Sequence, residues 1–263
     1  MNTPKINRTL KRAIDILQLI KDNNNALTIK EISRLMQIPT SSAFDIIHTL
    51  YAEKFLECNR SGAKTFSIGV RAFEIGIAYR RHTNLIELIH PYVEKLMRIS
   101  NSTSFLAIVD DTEIIYLDKS EAETSIRTSA VLGSRRDMYS TGLGKAIMMH
   151  YTEEKIRSIL AARKLIAHTR HTITGIDRFL EEMEISRRRG YAVDDRESNI
   201  NVFCIAHAIF DSYGNPFGAI SIATMYSAID ELSVRKFGKI ISDYAMEISK
   251  KLGYLAPPGK NKK

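Results

Sequence analysis

Residues 28–50 read TIKEISRLMQIPTSSAFDIIHTL, and the order of helix and turn signals in them decides the fold of the front of the chain. Thr28 with Glu31 three residues on has the form of a capping box, in which hydroxyl and carboxylate each take up a free N–H group. It opens a short helix, Ile29–Met36, with Ile32 and Leu35 on one face. Gln37-Ile38-Pro39 makes a tight turn. Thr40 or Ser41 then caps another helix, in which Ala43, Ile46, Ile47 and Leu50 recur at helical spacing as a buried stripe. So short a turn makes the two helices cross steeply and leaves the second projecting from the surface.

Upstream, Leu10, Ala13, Ile14, Leu17 and Ile20 repeat with the same period until the polar run 21–25 breaks it. Downstream, residues 55–58 and 65–68 are β-prone, with a turn at 59–64 between them. Helix, helix, tight turn, helix, hairpin is the order of a winged helix-turn-helix over residues 1–69. The projecting helix suits the major groove of DNA, its first turn reaching base edges, and Arg60 and Lys64 at the hairpin tip suit phosphate or the minor groove. The same pattern also suits a winged helix that binds another protein.

Charge follows this division. The chain of 263 residues carries a net +8, yet residues 1–82 hold 13 Lys and Arg against 7 Asp and Glu, while residues 83–256 are nearly balanced at 22 against 23. The excess lies where a polyanion could use it. Cys58 and Cys204, far apart in unlike settings, point away from a disulfide framework and from four-cysteine zinc sites. No apolar run approaches the roughly 20 residues needed to span a bilayer, and the polar start lacks a signal peptide's apolar stretch. A cytoplasmic, membrane-free protein is expected.

Residues 70–81 read as a helix linking two domains, the linker running over 70–82. A long helix follows over 85–100. Strands are expected at 105–109 and 114–117, with 125–128 as a third, and later at 191–196, 203–210 and 217–224. Between them lie a loop at 133–140 entering a helix at Gly142, helices over 153–162 and 176–189, and Gly190 as a left-handed helix stop. A final amphipathic helix over 231–252 precedes a disordered tail, 257–263. The second domain, 83–256, is therefore α+β, a largely antiparallel sheet of about six strands flanked by helices.

Little in it points to catalysis. Asp194, Asp195 and Glu197 could act as acid and base but have no defined partner. Cys204 and His207 suggest a thiol nucleophile, yet i and i+3 on a strand point to opposite faces. His168 and His171 lack a third metal ligand. Gly142-Leu143-Gly144-Lys145 lacks the spacing of a P-loop, but a helix start there offers free N–H groups that suit a carboxylate. Neither catalytic residues, metal nor cofactor are expected. The rival reading is an enzyme of small acids using Cys204 or Asp194.

Taken in order, several short motifs carry a resemblance. They are residues 12–17 (RAIDIL), 66–69 (FSIG), 141–146 (TGLGKA), 189–195 (RGYAVDD), Cys204-Ile205-Ala206, Ile209-Phe210-Asp211, Gly214 and 219–222 (AISI). Together they resemble the IclR type of bacterial transcription factors along nearly the whole chain. The resemblance implies a GAF-like sensory domain for a small organic acid, and dimers that pair into tetramers. By motif position it places Thr128, Met138, Gly142, Leu143, Asp194, Val202, Cys204, Ser221 and Ala223 at the effector. Cys204 and Ser221 would offer a weak and a strong hydrogen bond, whereas Asp194 would repel an acid unless protonated or met by a hydroxyl. Ala223 stands where a second serine is common, and Asp45 where arginine is common. With Asp45 able to accept from cytosine N4, phosphate contacts fall to Arg8, Lys11, Arg12, Arg60 and Lys64. Thr28, Thr40, Ser41, Ser42, Phe44 and His48 complete the expected DNA face. The expected mechanism is repression of carbon-catabolism genes from a pseudo-palindromic duplex operator, relieved or enforced by the acid.

Overall fold

The computed structural model describes residues 6–23, 26–59, 62–83, 85–122 and 130–255, and only the backbone for 78–83. The chain divides into two compact units, Met1–Asn84 and Leu85–Lys263.

The first unit runs α1 (Arg8–Asp22), β1 (Leu27–Thr28), α2 (Ile29–Met36), α3 (Thr40–Ala52), β2 (Leu56–Asn59), β3 (Thr65–Ile68) and α4 (Val70–Thr83). The capping box forms: Glu31 N–H donates to Thr28 Oγ1 at 3.3 Å, and Thr28 N–H to Glu31 Oε2 at 2.8 Å. Gln37, left-handed at φ 53°, ends α2. The cap of α3 falls on Pro39 rather than on Thr40 or Ser41. Thr40 is the first helical residue, its hydroxyl 3.1 Å from that of Ser33 on α2. The hairpin gains a strand that sequence periodicity did not reveal, with Leu27 opposite Phe66 and Thr28 opposite Thr65. Two residues are too few to carry a period.

Ile16, Ile32 and Ile47 are fully buried at the centre of this unit. On α1 the buried face is thus Ile16 and Ile20, while Leu10 (61% exposed) and Ile14 (58%) turn to solvent. The expected stripe mixed two faces, because apolar residues occupy both.

The second unit runs α5 (Leu85–Ser100), β4 (Thr103–Asp110), β5 (Glu113–Ser120), β6 (Arg135–Asp137), α6 (Gly142–Met148), α7 (Glu153–Ala161), α8 (Ile176–Arg189), β7 (Ala192–Asp195), β8 (Val202–Phe210), β9 (Pro216–Met225) and α9 (Glu231–Lys251). The strands form one sheet in the order β6-β5-β4-β9-β8-β7, antiparallel at every pairing. Side chains alternate between its faces. Phe105, Ala107, Ala206, Ala219 and Ala223 pack toward α6, α7 and α8. Leu106, Ile205, Ile220 and Ile222 pack toward α5 and α9. Small residues on the first face leave room for a ligand, and branched ones fill the second.

Gly190 closes α8 at φ 85° as its sequence position suggests. The strand expected at 125–128 lies outside the described residues. Arg135–Asp137 pairs with β5 through Glu113, Ile114 and Ile115, where the sequence reads as a loop. Three charged residues carry no apolar alternation, so only the backbone ladder marks this strand.

Candidate effector site and DNA-binding face

Two glycines bring α6 down onto its neighbours. A Cβ on Gly142 would stand 3.2 Å from the Cβ of Cys204, and one on Gly144 only 2.2 Å from the Cα and carbonyl oxygen of Met138. Thr141 caps the helix, its Oγ1 accepting from Gly144 N–H at 3.2 Å and donating to the Asp137 carbonyl at 3.1 Å. Gly144→Ala therefore forces backbone apart, and a loss of about 1–3 kcal/mol is expected. Chemical denaturation measures it; an unchanged midpoint would refute the contact.

Beside the start of α6 lies a cavity of about 680 Å³. Gly142, Leu143, Asp194, Val202, Cys204, Ser221 and Ala223 all line it. Met138 is not among the lining residues: it is 1% exposed, in the core against α6. Thr128 lies outside the described residues. The structure adds Phe105 and Tyr116 to the wall, with Arg135, Arg136, Arg163, His168, Ser198 and Asn199 around it. Strand alternation could have found Phe105, which faces Ser221 across β4 and β9. Nothing local singled out the arginines.

Charge beneath the cavity is concentrated in one network. Lys145 is fully buried, and its Nζ donates to the Val193 carbonyl at 3.2 Å and to Glu197 Oε1. Asp194, 1% exposed, accepts at Oδ1 from Glu197 N–H (2.6 Å) and Ser198 N–H (3.3 Å), and at Oδ2 from Ser198 Oγ (2.6 Å). Burial raises its pKa, against the pull of those donors and of Lys145. Burial also pushes Glu197 up to about 7 despite Lys145 beside it, and its Oε2 has no partner among the described residues. Burial, then Asp194, raises the Cys204 thiol well above its usual range. It stays protonated, a weak donor rather than a nucleophile. His207 does not join it, its Nδ1 lying 2.8 Å from the Ala208 carbonyl oxygen.

Around the opening, Arg135 pairs with Asp110 and with Glu113 at 3.2 Å, and Arg163 with Glu113 at 3.1 Å and Asp137 at 2.6 Å. Arg136 is in no ion pair among the described residues; its Nη1 donates to the Arg135 carbonyl at 3.0 Å. His168 stacks on Tyr139, ring centres 6.2 Å apart. Among the described residues no three His, Cys, Asp or Glu side chains gather as a metal site.

In the first unit, α3 turns Thr40, Ser41, Phe44, Asp45 and His48 outward, with Ser42 half-buried. The Phe44 and His48 rings lie 4.1 Å apart. Arg8, Lys11 and Lys64 are exposed and Arg12 half-buried; Lys11 pairs with Asp15 at 2.6 Å. Thr28 is engaged in its capping box, and Arg60 lies outside the described residues.

A helix-turn-helix with a solvent-facing third helix, in one chain with an α+β unit that holds a cavity, is the build of a DNA-binding transcription regulator. Residues 9–60 match the family model of the IclR helix-turn-helix domain, and residues 77–250 that of the bacterial transcriptional regulator IclR C-terminal domain. The chain belongs to the IclR family. It is 31% identical over 251 residues to the transcriptional repressor AllR of Escherichia coli, covering 95% of this chain and 92% of that one. It is 29% identical over 245 residues to the E. coli transcriptional repressor IclR, covering 92% and 89%. Among solved structures, the Thermotoga maritima IclR superposes with a TM-score of 0.75 at 31% identity, covering 94% of this chain and 99% of that one.

Proposed function

We propose that this regulator is a repressor of carbon-catabolism genes whose hold on its operator is set by a small organic acid in the second unit. The carrying observation is the cavity of about 680 Å³ lined by Ser221, Cys204 and Tyr116, a size suited to a metabolite. The hydroxyl of Ser221 and the thiol of Cys204 supply donors, and both oxygens of Asp194 are already engaged by Glu197 and Ser198. The repelling carboxylate is thereby turned to its own loop. That the E. coli relatives AllR and IclR are repressors supports the sign of control.

In the first unit, α3 would enter the major groove, Arg8, Lys11, Arg12, Arg60 and Lys64 would touch phosphate, and Thr40, Ser41, Ser42, Phe44, Asp45 and His48 would meet the bases. Two copies fit a palindromic operator, with recognition helices about 34 Å apart. Exposed apolar residues on α1 (Leu10, Ile14) and α4 (Val70, Phe73, 66% exposed) supply a surface for a second copy. Among the described residues no helix is long and apolar enough to cross a membrane, in keeping with action on DNA.

Gel shifts on the gene's own upstream region, with and without candidate acids, test this reading. An acid hit from a thermal-shift screen is expected to change operator affinity at least tenfold. Affinity is also expected to fall steeply with salt as counterions return to the duplex, and Lys64→Ala to weaken all sequences alike and flatten that slope. DNA binding indifferent to every acid that binds the chain would overturn it.

A further inference from the structure

We propose that the acid this cavity takes is a dianion, with one acidic group over Ser221 and Cys204 and the second held between Tyr116 and Arg136. This rests on the acid-binding reading above and narrows it to a chemical class.

Across the sheet from β5 through β4 and β9 to β8, the cavity wall changes character in order. Tyr116 supplies a hydroxyl, Phe105 an apolar ring, then come Ser221 and Ala223, then Cys204. Phe105 stands opposite Ser221, Ala223 opposite Cys204, and the Phe105 and Tyr116 rings lie 5.2 Å apart. The wall is polar at both ends and apolar in the middle. A monoacid would satisfy one end and leave the other to water.

The far end carries two groups with unused capacity. Tyr116 is only 8% exposed, lines the cavity, and its hydroxyl has no hydrogen-bond partner among the described residues. A phenol on the cavity wall with its donor unused is free to bond a ligand oxygen there. Arg136 borders the same wall without a carboxylate of its own, while Arg135 and Arg163 beside it are paired with Asp110, Glu113 and Asp137. A guanidinium suits a carboxylate in forked geometry. Neighbouring strands lie about 4.8 Å apart. Two intervals from β5 to β9, less side-chain reach at each end, call for a spine of about three to five carbons between the acidic groups.

Calorimetry on the full chain at constant ionic strength tests this with glutarate, adipate and pimelate against pentanoate, hexanoate and heptanoate. At least one diacid is expected to bind tenfold or more tightly than the monoacid of equal length. Arg136→Leu is expected to cut that ratio about tenfold and Tyr116→Phe about threefold, whereas Arg235→Leu, on the exposed face of α9, leaves it in place. Diacids within twofold of their monoacids, or a ratio that falls equally with Arg235→Leu, overturn the dianion and leave acid binding standing. Binding of neither series, in a chain that still binds its operator, overturns both.

Discussion

Lys145→Ala is expected to cost about 3–5 kcal/mol of stability at pH 8, the usual loss when one partner of a buried ion pair is removed. Lys145 is fully buried and donates to Glu197, and its charge also opposes that of Asp194. Without it, two carboxyls remain in a site with no other buried cation among the described residues. The loss is expected to shrink on acidification. Glu197 sits near 7 in the fold against an ordinary 4.5, so the folded chain holds a proton between those values that the unfolded chain releases. Its contribution to stability therefore falls as pH rises from about 4.5 through 7 and is least favourable above 7. Removing Lys145 pushes Glu197 and Asp194 further the same way. Urea titrations at pH 8 and pH 5 measure this: the gap between wild type and variant is expected to narrow by half or more at pH 5. An equal gap at both values would mean that Lys145 acts through packing alone.

Ile47→Ala separates the two units by function. Ile47 has no exposed surface and lies in a core of nine buried residues shared by α1, α2, α3 and the hairpin. Truncating such a residue costs about 2–5 kcal/mol, and small units fold with only a few kcal/mol to spare. Operator affinity is expected to fall more than a hundredfold in a gel shift, while calorimetric binding of the acid by the second unit stays within about twofold. Loss of both activities together would show that the units fold as one.

How much of this was legible in the sequence depended on the range of each signal. Thr28 and Glu31 lie three residues apart and declare the start of α2 without help from the rest of the chain. So does Gly190 at the end of α8. β1 and β6 were not legible, because one has two residues and the other is Arg-Arg-Asp; their pairing is decided by strands elsewhere. On α1 the apolar residues were visible but their faces were not, and only the fold assigns Ile16 to the core and Leu10 to solvent. For the cavity, Cys204, Ser221 and Ala223 were named through resemblance to a family, since nothing local says that β8 and β9 lie side by side. Tyr116 and Arg136 emerge only in three dimensions. Their significance is an absence of partners, which no stretch of sequence can express.

The charged character of β6 guards that edge of the sheet against unwanted strand pairing. A sheet that ends in a long apolar strand offers its unused N–H and C=O groups to any similar strand and invites stacking without limit. Here the outer row beside β5 is three residues long, and Arg135, Arg136 and Asp137 each carry a charge along it. Ribbon-like growth by strand pairing is thereby disfavoured from that side.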